Sequence, residues 1–361
     1  MILLIAFIME HRIENYRLLA GYYYVFGFLV TFYFAKAIYV FSLFTDRFFE
    51  RRLNKYPKQS RHIITKCGLL LSVFFAGLVL WGIFFGRNNL HVEHVEIFSD
   101  DLPDAFHGYR MVQISDVHAG SFAWNIGHFQ KAVDLINRQE PDLIVCTGDM
   151  VNNFANELTP LIPVFQTLEA PDGKYAVLGN HDYGGYYKWG NNLADSVNNH
   201  KALKNAIEQM GFVLLNNESA VISRDSSNRI ALVGVENWGK KPHYTKRGNL
   251  EEAIKEVHDI PFKVLLAHDP LFWTKFVVEK TDVTLTLSGH THGMQMGVKL
   301  GKKHYSPARL RTRYWGGLYQ TGKQYLYINC ELGIVLFPGR IGMPPEITVI
   351  TLCKAKSPVQ R

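Results

Sequence analysis

Two long apolar runs near the start of this 361-residue chain limit what it can fold into more than any other feature. Residues 18–44 carry a single charge, Lys36, and residues 67–86 carry none. Each run is long enough to cross a hydrocarbon core roughly 30 Å thick as a helix. Inside lipid a segment must satisfy its own backbone N–H and C=O groups, and a helix does so unaided. Both runs are therefore expected as transmembrane helices rather than as buried helices of a water-facing core. Residues 1–9 are apolar but short, with no basic stretch ahead of them and no small-residue cleavage site behind. They fit an interfacial segment or the stub of a further helix better than a cleaved signal peptide.

The segment between the runs, residues 45–66, sets Arg47, Arg51, Arg52, Lys55, Lys58, Arg61 and Lys66 against Asp46 and Glu50. A short basic loop of this kind is retained in the cytoplasm. The second helix then runs outward, and everything after Arg87 is expected on the outer side of the cytoplasmic membrane. Much of the net charge of +7 comes from this loop, so it gives no argument for nucleic acid. The expected organisation is an anchor at residues 1–90, a soluble domain at 91–354 and a polar, fraying tail at 355–361. The four cysteines, Cys67, Cys146, Cys330 and Cys353, have no metal-binding spacing and read as small buried hydrophobes. A Cys330–Cys353 disulfide is open to a domain outside the cytoplasm.

The soluble part starts close to the bilayer, because residues 94–97 already alternate like a strand. Further strand-like runs lie at 111–115, 143–147, 175–178, 230–235, 264–267, 283–287, 325–329 and 347–352. Amphipathic helical stretches fall at 129–138 and 198–210. Strands alternating with helices, then strands joined by turns, predict an α/β protein with mixed sheets. Ligands in such sheets bind at the carboxyl ends of the strands.

Five short polar motifs sit just there. They are Asp116-Val-His118, Gly148-Asp149, Gly179-Asn180-His181-Asp182, Ala267-His268-Asp269 and Gly289-His290-Thr291-His292-Gly293. Side chains at i and i+2 of an extended segment point the same way, so Asp116 and His118 can reach one ion, as can His290 and His292. Glycine before Asp149 lets the backbone turn and approach closely. Asn180 offers a neutral oxygen, which limits the charge at the site. Oxygen donors mixed with imidazoles suit divalent transition ions.

In this order and spacing the motifs resemble the calcineurin-like metallophosphoesterase superfamily, over roughly residues 109–352. The resemblance implies a four-layer α/β/β/α sandwich, here with an N-terminal transmembrane helical segment. It implies a dinuclear site for two divalent ions (Mn, Fe or Zn). Asp116, His118 and His292 would hold the first ion, Asp149 would bridge, and Asn180, His268 and His290 would complete the second. His181 would be the catalytic acid, with Asp182 beside it for orientation. Purple acid phosphatases have a tyrosine ligand three residues after the bridging aspartate. Asn152 stands at that position, so a tyrosinate-bound ferric ion is not expected. A membrane-anchored bacterial branch is closer still: its common Gly-His-Thr-His-Gly-Gly-Gln reads here with Met294 in place of the last glycine before Gln295, and Gly317-Leu-Tyr319, Pro338-Gly-Arg340 and Pro345-Glu346-Ile347 resemble it too. Glu331 departs from that branch and would repel a phosphate if it faced one.

The implied reaction is hydrolysis of a phosphate ester by a water activated between the ions, with His181 protonating the leaving oxygen. Lys302, Lys303, His304, Tyr305, Arg309, Arg311, Arg313, Tyr314 and Trp315 interleave charge with aromatics, as a lip for a phosphorylated or lipid headgroup would. An aromatic, glycine-rich loop at 182–189 lies beside His181. With the short tether, these favour an amphiphilic substrate, either a phosphodiester or a lipid-linked diphosphate. UDP-2,3-diacylglucosamine, a substrate of some anchored relatives, is one specific option. A non-catalytic binding module on the same fold is the alternative of a different class, and helices that act as a transporter or sensor are a third. No nucleic-acid partner is expected.

Overall fold

A computed structural model describes residues 11–52, 62–190, 193–239, 247–300 and 303–355. The expectations for residues 1–9, for Lys55, Lys58 and Arg61 of the basic loop, for Lys302 and for the end of the tail fall outside these.

The two apolar runs form helices α1 (Tyr16–Arg52) and α2 (Ile63–Phe84), both long and apolar enough to cross a membrane. They form an antiparallel hairpin. Phe28 lies against Phe84 at one end, and Thr65 donates to Asp46 at the other. Close approach is needed between them: a Cβ on Gly68 would fall 2.0 Å from Ser42 Oγ. The helices differ from the expected bounds mainly at the C-terminus of α1. It continues through Arg47, Arg51 and Arg52, because those long side chains are good helix formers once the turns before them are built. Lys36 lies level with the middle of α2, where Ser72 donates to the Ala35 carbonyl. Cys67 is exposed on α2 rather than buried, and all four cysteines are free, so no Cys330–Cys353 disulfide forms.

The rest is built on two six-stranded sheets. The first contains β1 (His91–Ser99), β2 (Tyr109–Ile114), β3 (Leu143–Cys146), β4 (Lys174–Ala176), β5 (Phe212–Leu214) and β14 (Glu346–Lys354), in the order β1-β14-β2-β3-β4-β5. Only the β14–β2 pair is antiparallel. The second contains β6 (Glu218–Ser223), β7 (Arg229–Gly234), β8 (Lys263–Leu266), β9 (Leu285–Ser288), β12 (Gly317–Thr321) and β13 (Gln324–Ile328). Its order is β12-β13-β9-β8-β7-β6, with a parallel centre and antiparallel edges. A separate hairpin pairs β10 (Val298–Leu300) with β11 (Lys303–Tyr305).

Alternation along each strand divides its side chains between two cores. Met111, Leu143 and Val145 point between the sheets and meet Leu232, Val264, Leu266 and Leu287. Val112, Ile114, Ile144 and Cys146 point outward, where they meet α3 (Ile126–Asn137), α4 (Ile162–Phe165) and α5 (Leu193–Gln209) through Phe129, Val133, Phe165, Leu203 and Ile207. The outer face of the second sheet is covered by α6 (Leu250–Ile254) and by Trp273 and Val277. The result is the four-layer α/β/β/α order.

Candidate metal centre

Every motif leaves the carboxyl end of a strand. Asp116 and His118 follow β2, Asp149 follows β3, and Asn180 and His181 follow β4. From the facing sheet, His268 follows β8, and His290 and His292 follow β9. The chain turns hard at these points: φ is 49° at Asp116, 44° at His118, 52° at Asp149, 72° at His290 and 56° at His292. Asp and His tolerate this left-handed region better than most residues, and such strain gathers at functional sites. Glycine makes the crowding possible. Gly148 has φ +99°, and a Cβ on Gly179 would fall 2.2 Å from Asp149 Oδ1.

The donors gather in overlapping groups. Asp116, His118 and His292 form one, Asp149, His268 and His290 another, and His118, Asp149 and His181 a third that joins them; within each, one donor atom per residue lies within 4.8 Å of the others. Asp116 Oδ1 is 3.9 Å from His118 Nε2 and 3.7 Å from His292 Nε2. His268 Nε2 is 3.1 Å from Asp149 Oδ2 and 3.2 Å from Asn180 Oδ1. Asp116, His118, Asp149, Asn180 and His268 are buried, whereas His290 and His292 keep partial access to solvent. The seven side chains singled out in the sequence therefore meet at one place.

A second set of contacts aims them. His268 Nδ1 donates to the Thr147 carbonyl at 2.8 Å, which leaves Nε2 facing the donors. Asn180 Nδ2 donates to Tyr186 Oη at 3.0 Å, turning its oxygen inward. His181 Nδ1 donates to the Asn152 carbonyl at 2.7 Å, and the Tyr186 ring stacks on His181 at 4.1 Å. The Asn152 turn is held by buried Glu157, which accepts from the backbone of Gly120, Asn152, Asn153 and Phe154. Nothing in the sequence marked Glu157, because its partners become neighbours only once the turn is folded.

The structure gives Asp182 and Glu331 roles that their sequence context does not. Asp182 does not orient the His181 ring. Its two oxygens accept the backbone N–H groups of Asp149 (2.8 Å), Gly179 (2.9 Å), Met150 (2.9 Å) and Val151 (3.3 Å), so it fastens the β3 and β4 loops together. Glu331 does not face a phosphate. It is fully buried, accepts from the His292 backbone N–H, touches His292 Nδ1, and lies 3.9 Å from the Arg340 guanidinium. A carboxylate on the far nitrogen of a ligand imidazole fixes the tautomer and the ring angle. Arg340 in turn donates to the carbonyls of Cys330, Gly333 and Met343. Of the basic and aromatic lip, Trp315 is buried and Tyr314 packs on Trp273 and Tyr319, so these two belong to the core.

Charge at the site is unbalanced in a way that a cation would correct. Burial drives His118 down to about 3, which keeps it neutral. Burial acts against the charge on His268 too, but Asp149 and Asp116 outweigh it and hold His268 up at about 10. Asp149 lies well below the usual carboxylate range, burial being outweighed by His268 and His181. A proton on His268 thus supplies positive charge that bound metal would replace. Asp116 Oδ1 and His118 Nε2, both buried, have no hydrogen-bond partner. Buried polar atoms are rarely left so unless something else binds them. The donor set fits divalent metal.

Comparison with known proteins agrees with this chemistry. The sequence model of the family described as calcineurin-like phosphoesterase matches residues 109–294. The metallophosphoesterase YkuE of Bacillus subtilis is 32% identical over 265 residues, which cover 72% of this chain and 84% of that protein. A Bos taurus protein named transmembrane protein with metallophosphoesterase domain is 30% identical over 271 residues. The match covers 72% of this chain but only 56% of the bovine protein. Among solved structures, a dimetal phosphatase from Danio rerio aligns at 9% identity over 63% of this chain and 88% of its own, with a TM-score of 0.35, too distant to carry weight. With the family match running from β2 to β9 and a relative alike over most of its own length, the chain belongs to the calcineurin-like phosphoesterase family and is a metal-dependent phosphoesterase.

Proposed function

We propose that this protein is a membrane-anchored phosphoesterase with two divalent ions, manganese, iron or zinc. Asp116, His118 and His292 would hold one, Asn180, His268 and His290 the other, with Asp149 between them. The observation that carries this reading is the pair of donor groups joined through His118 and Asp149. Ions held there would supply an activated water and offset charge on the phosphoryl oxygens. His181 hands a proton to the leaving oxygen. Its Nδ1 is occupied by the Asn152 carbonyl, and its ring is clamped by Tyr186, so Nε2 is the nitrogen left for that transfer. Asp182 serves as a positioning residue for Asp149.

The substrate is a phosphodiester or diphosphate of an amphiphile. The two apolar helices support this, as does the short step from α2 to β1, which keeps the site near the bilayer. The relatives named as transmembrane proteins with this domain favour the anchor. The hairpin supports an outward orientation of the domain. The ends of α1 and α2 that meet the sheet domain lie opposite Arg47, Arg51 and Arg52, so a cytoplasmic placement of those arginines sends the domain outward. That orientation separates this reading from hydrolysis of UDP-2,3-diacylglucosamine, whose substrate is made in the cytoplasm.

Purified protein is to be assayed on bis-p-nitrophenyl phosphate and on phospholipids with each ion in turn. Metal-dependent turnover is the expected result. A preparation that no ion activates on any ester would instead support a binding module. A reporter fused to the C-terminus should read outside the cytoplasm, and a cytoplasmic readout would favour the nucleotide-lipid substrate.

A further inference from the structure

One cavity of about 700 Å³ joins the candidate metal centre to a membrane helix. That volume lies within the roughly 300–1,000 Å³ of sites that enclose most of a small ligand. Its two ends differ in chemistry. One end is formed by Asp149, Asn180, His181, His290 and His292. The other is formed by Phe26 and Val30 of α1 with Met294, Met296, Leu336 and Phe337. A small soluble phosphate ester needs only the first end.

The apolar end lies at the level where the hairpin meets the sheet domain. Phe28, between Phe26 and Val30 on α1, packs on Phe84, the last residue of α2. Gly27 of the same turn is pressed against Pro338, so this stretch of α1 forms a wall of the soluble part. Around the opening the protein leaves apolar groups uncovered: Met294 is 41% exposed and Met296 36%. Methionine side chains adapt their shape to flexible apolar ligands. Arg311 also lines the cavity and offers a cation to an anionic headgroup.

We propose that this cavity is the tail subsite of a phosphorylated lipid. The phosphate lies at His181 and His290, and the acyl or alkyl chain runs past Met294 and Phe337 to Phe26 and Val30, leaving toward the bilayer beside α1. Phe26 and Val30 then determine specificity although they belong to the anchor. This rests on the phosphoesterase reading for the phosphate end and adds the occupant of the apolar end.

Two measurements test it. The first is kcat/KM for water-soluble n-alkyl phosphates and p-nitrophenyl n-alkyl phosphates from methyl to octyl. Each buried methylene favours binding, so a rise of about tenfold or more across the series is expected in the wild type. Val30→Trp should flatten it, while Phe41→Trp, on an exposed part of α1 away from the cavity, should not. A flat wild-type series, or equal slopes in all three proteins, overturns the tail subsite but leaves the phosphoesterase reading standing. No hydrolysis of any member in any divalent ion overturns the phosphoesterase reading itself.

The second is independent of turnover. Protein in vesicles, with divalent metal present, is irradiated on ice with phosphatidic acid carrying a diazirine near the end of one chain, and adducts are mapped by mass spectrometry. Adducts in the peptides holding Phe26, Val30 and Phe337, competed away by unlabelled phosphatidic acid, support the proposal. Adducts confined to outward-facing residues such as Phe41 and Leu70 overturn it.

Discussion

Asp182→Asn separates two roles that the sequence alone leaves merged. The carboxylate takes two backbone N–H groups on each oxygen, from Met150 and Val151 on Oδ1 and from Asp149 and Gly179 on Oδ2. Asparagine is the same size but replaces one oxygen with an NH2 group. Whichever way the amide turns, two buried N–H groups then face a donor. At about 1–3 kcal/mol for each buried group left without a partner, the loss is about 2–6 kcal/mol. For a domain of this size that corresponds to a fall in Tm on the order of 10 °C. Because the freed N–H groups flank Asp149, metal affinity should fall as well. The assays are thermal unfolding in detergent, metal content after dialysis, and the rate at saturating metal. A variant with wild-type Tm and metal content but the turnover defect of His181→Ala would refute the reasoning, and would return Asp182 to the side of the His181 imidazole.

Other expectations follow from the same geometry. His181→Ala should keep its metal and lose about 10²–10⁴-fold in kcat on esters with poor leaving groups, and much less on p-nitrophenyl esters, where little acid assistance is needed. Glu331→Gln should leave the fold intact and weaken metal binding about 10–100-fold, read as a metal Kd, because it takes the carboxylate from the far side of His292. Metal affinity should rise with pH. His268 is held protonated up to about 10 by Asp149 and Asp116 against burial, and an ion must displace that proton. Titration in buffers of different ionisation enthalpy should therefore show net proton release near neutral pH, and none would remove His268 from the ligand set. Glu157→Gln should shift the pH profile and kcat through the Asn152 carbonyl with little change in metal content.

The parts of the fold that could be read from the sequence are those whose pattern has one explanation. β3 is buried on both faces, and its unbroken Leu143-Ile-Val-Cys146 run announces a central parallel strand. The edge and short strands were hidden. β6 has one buried residue in six and β12 has none in five, so neither carries the strong apolar signal of β3. The far end of α1 was hidden by its own charges. At the site, the candidate donors are legible because five motifs, each weak alone, resemble one family's pattern when taken in this order and spacing. The residues that aim them are not. Asp182 and Glu331 act through backbone N–H groups and a ring nitrogen that only tertiary structure brings near, so their sequence context says nothing of what they hold. Tyr186 was visible as part of an aromatic loop, but its stacking on His181 depends on how that loop closes.

The Arg340 backbone N–H donates to the Gly82 carbonyl at 3.1 Å, and Ile341 shares a small core with Val79 and Ile83. Arg87 ties Tyr24 of α1 to the Ser121 carbonyl of the loop that follows His118. A truncated version starting at residue 91 would lose all of these partners together. It would bare Ile341 and Pro338 to water and slacken the segment through which Arg340 steadies Glu331. Trimming away the hydrophobic front to gain a soluble product is thus expected to yield material that aggregates and binds its ions weakly, so crystallisation trials are better begun on the detergent-solubilised whole.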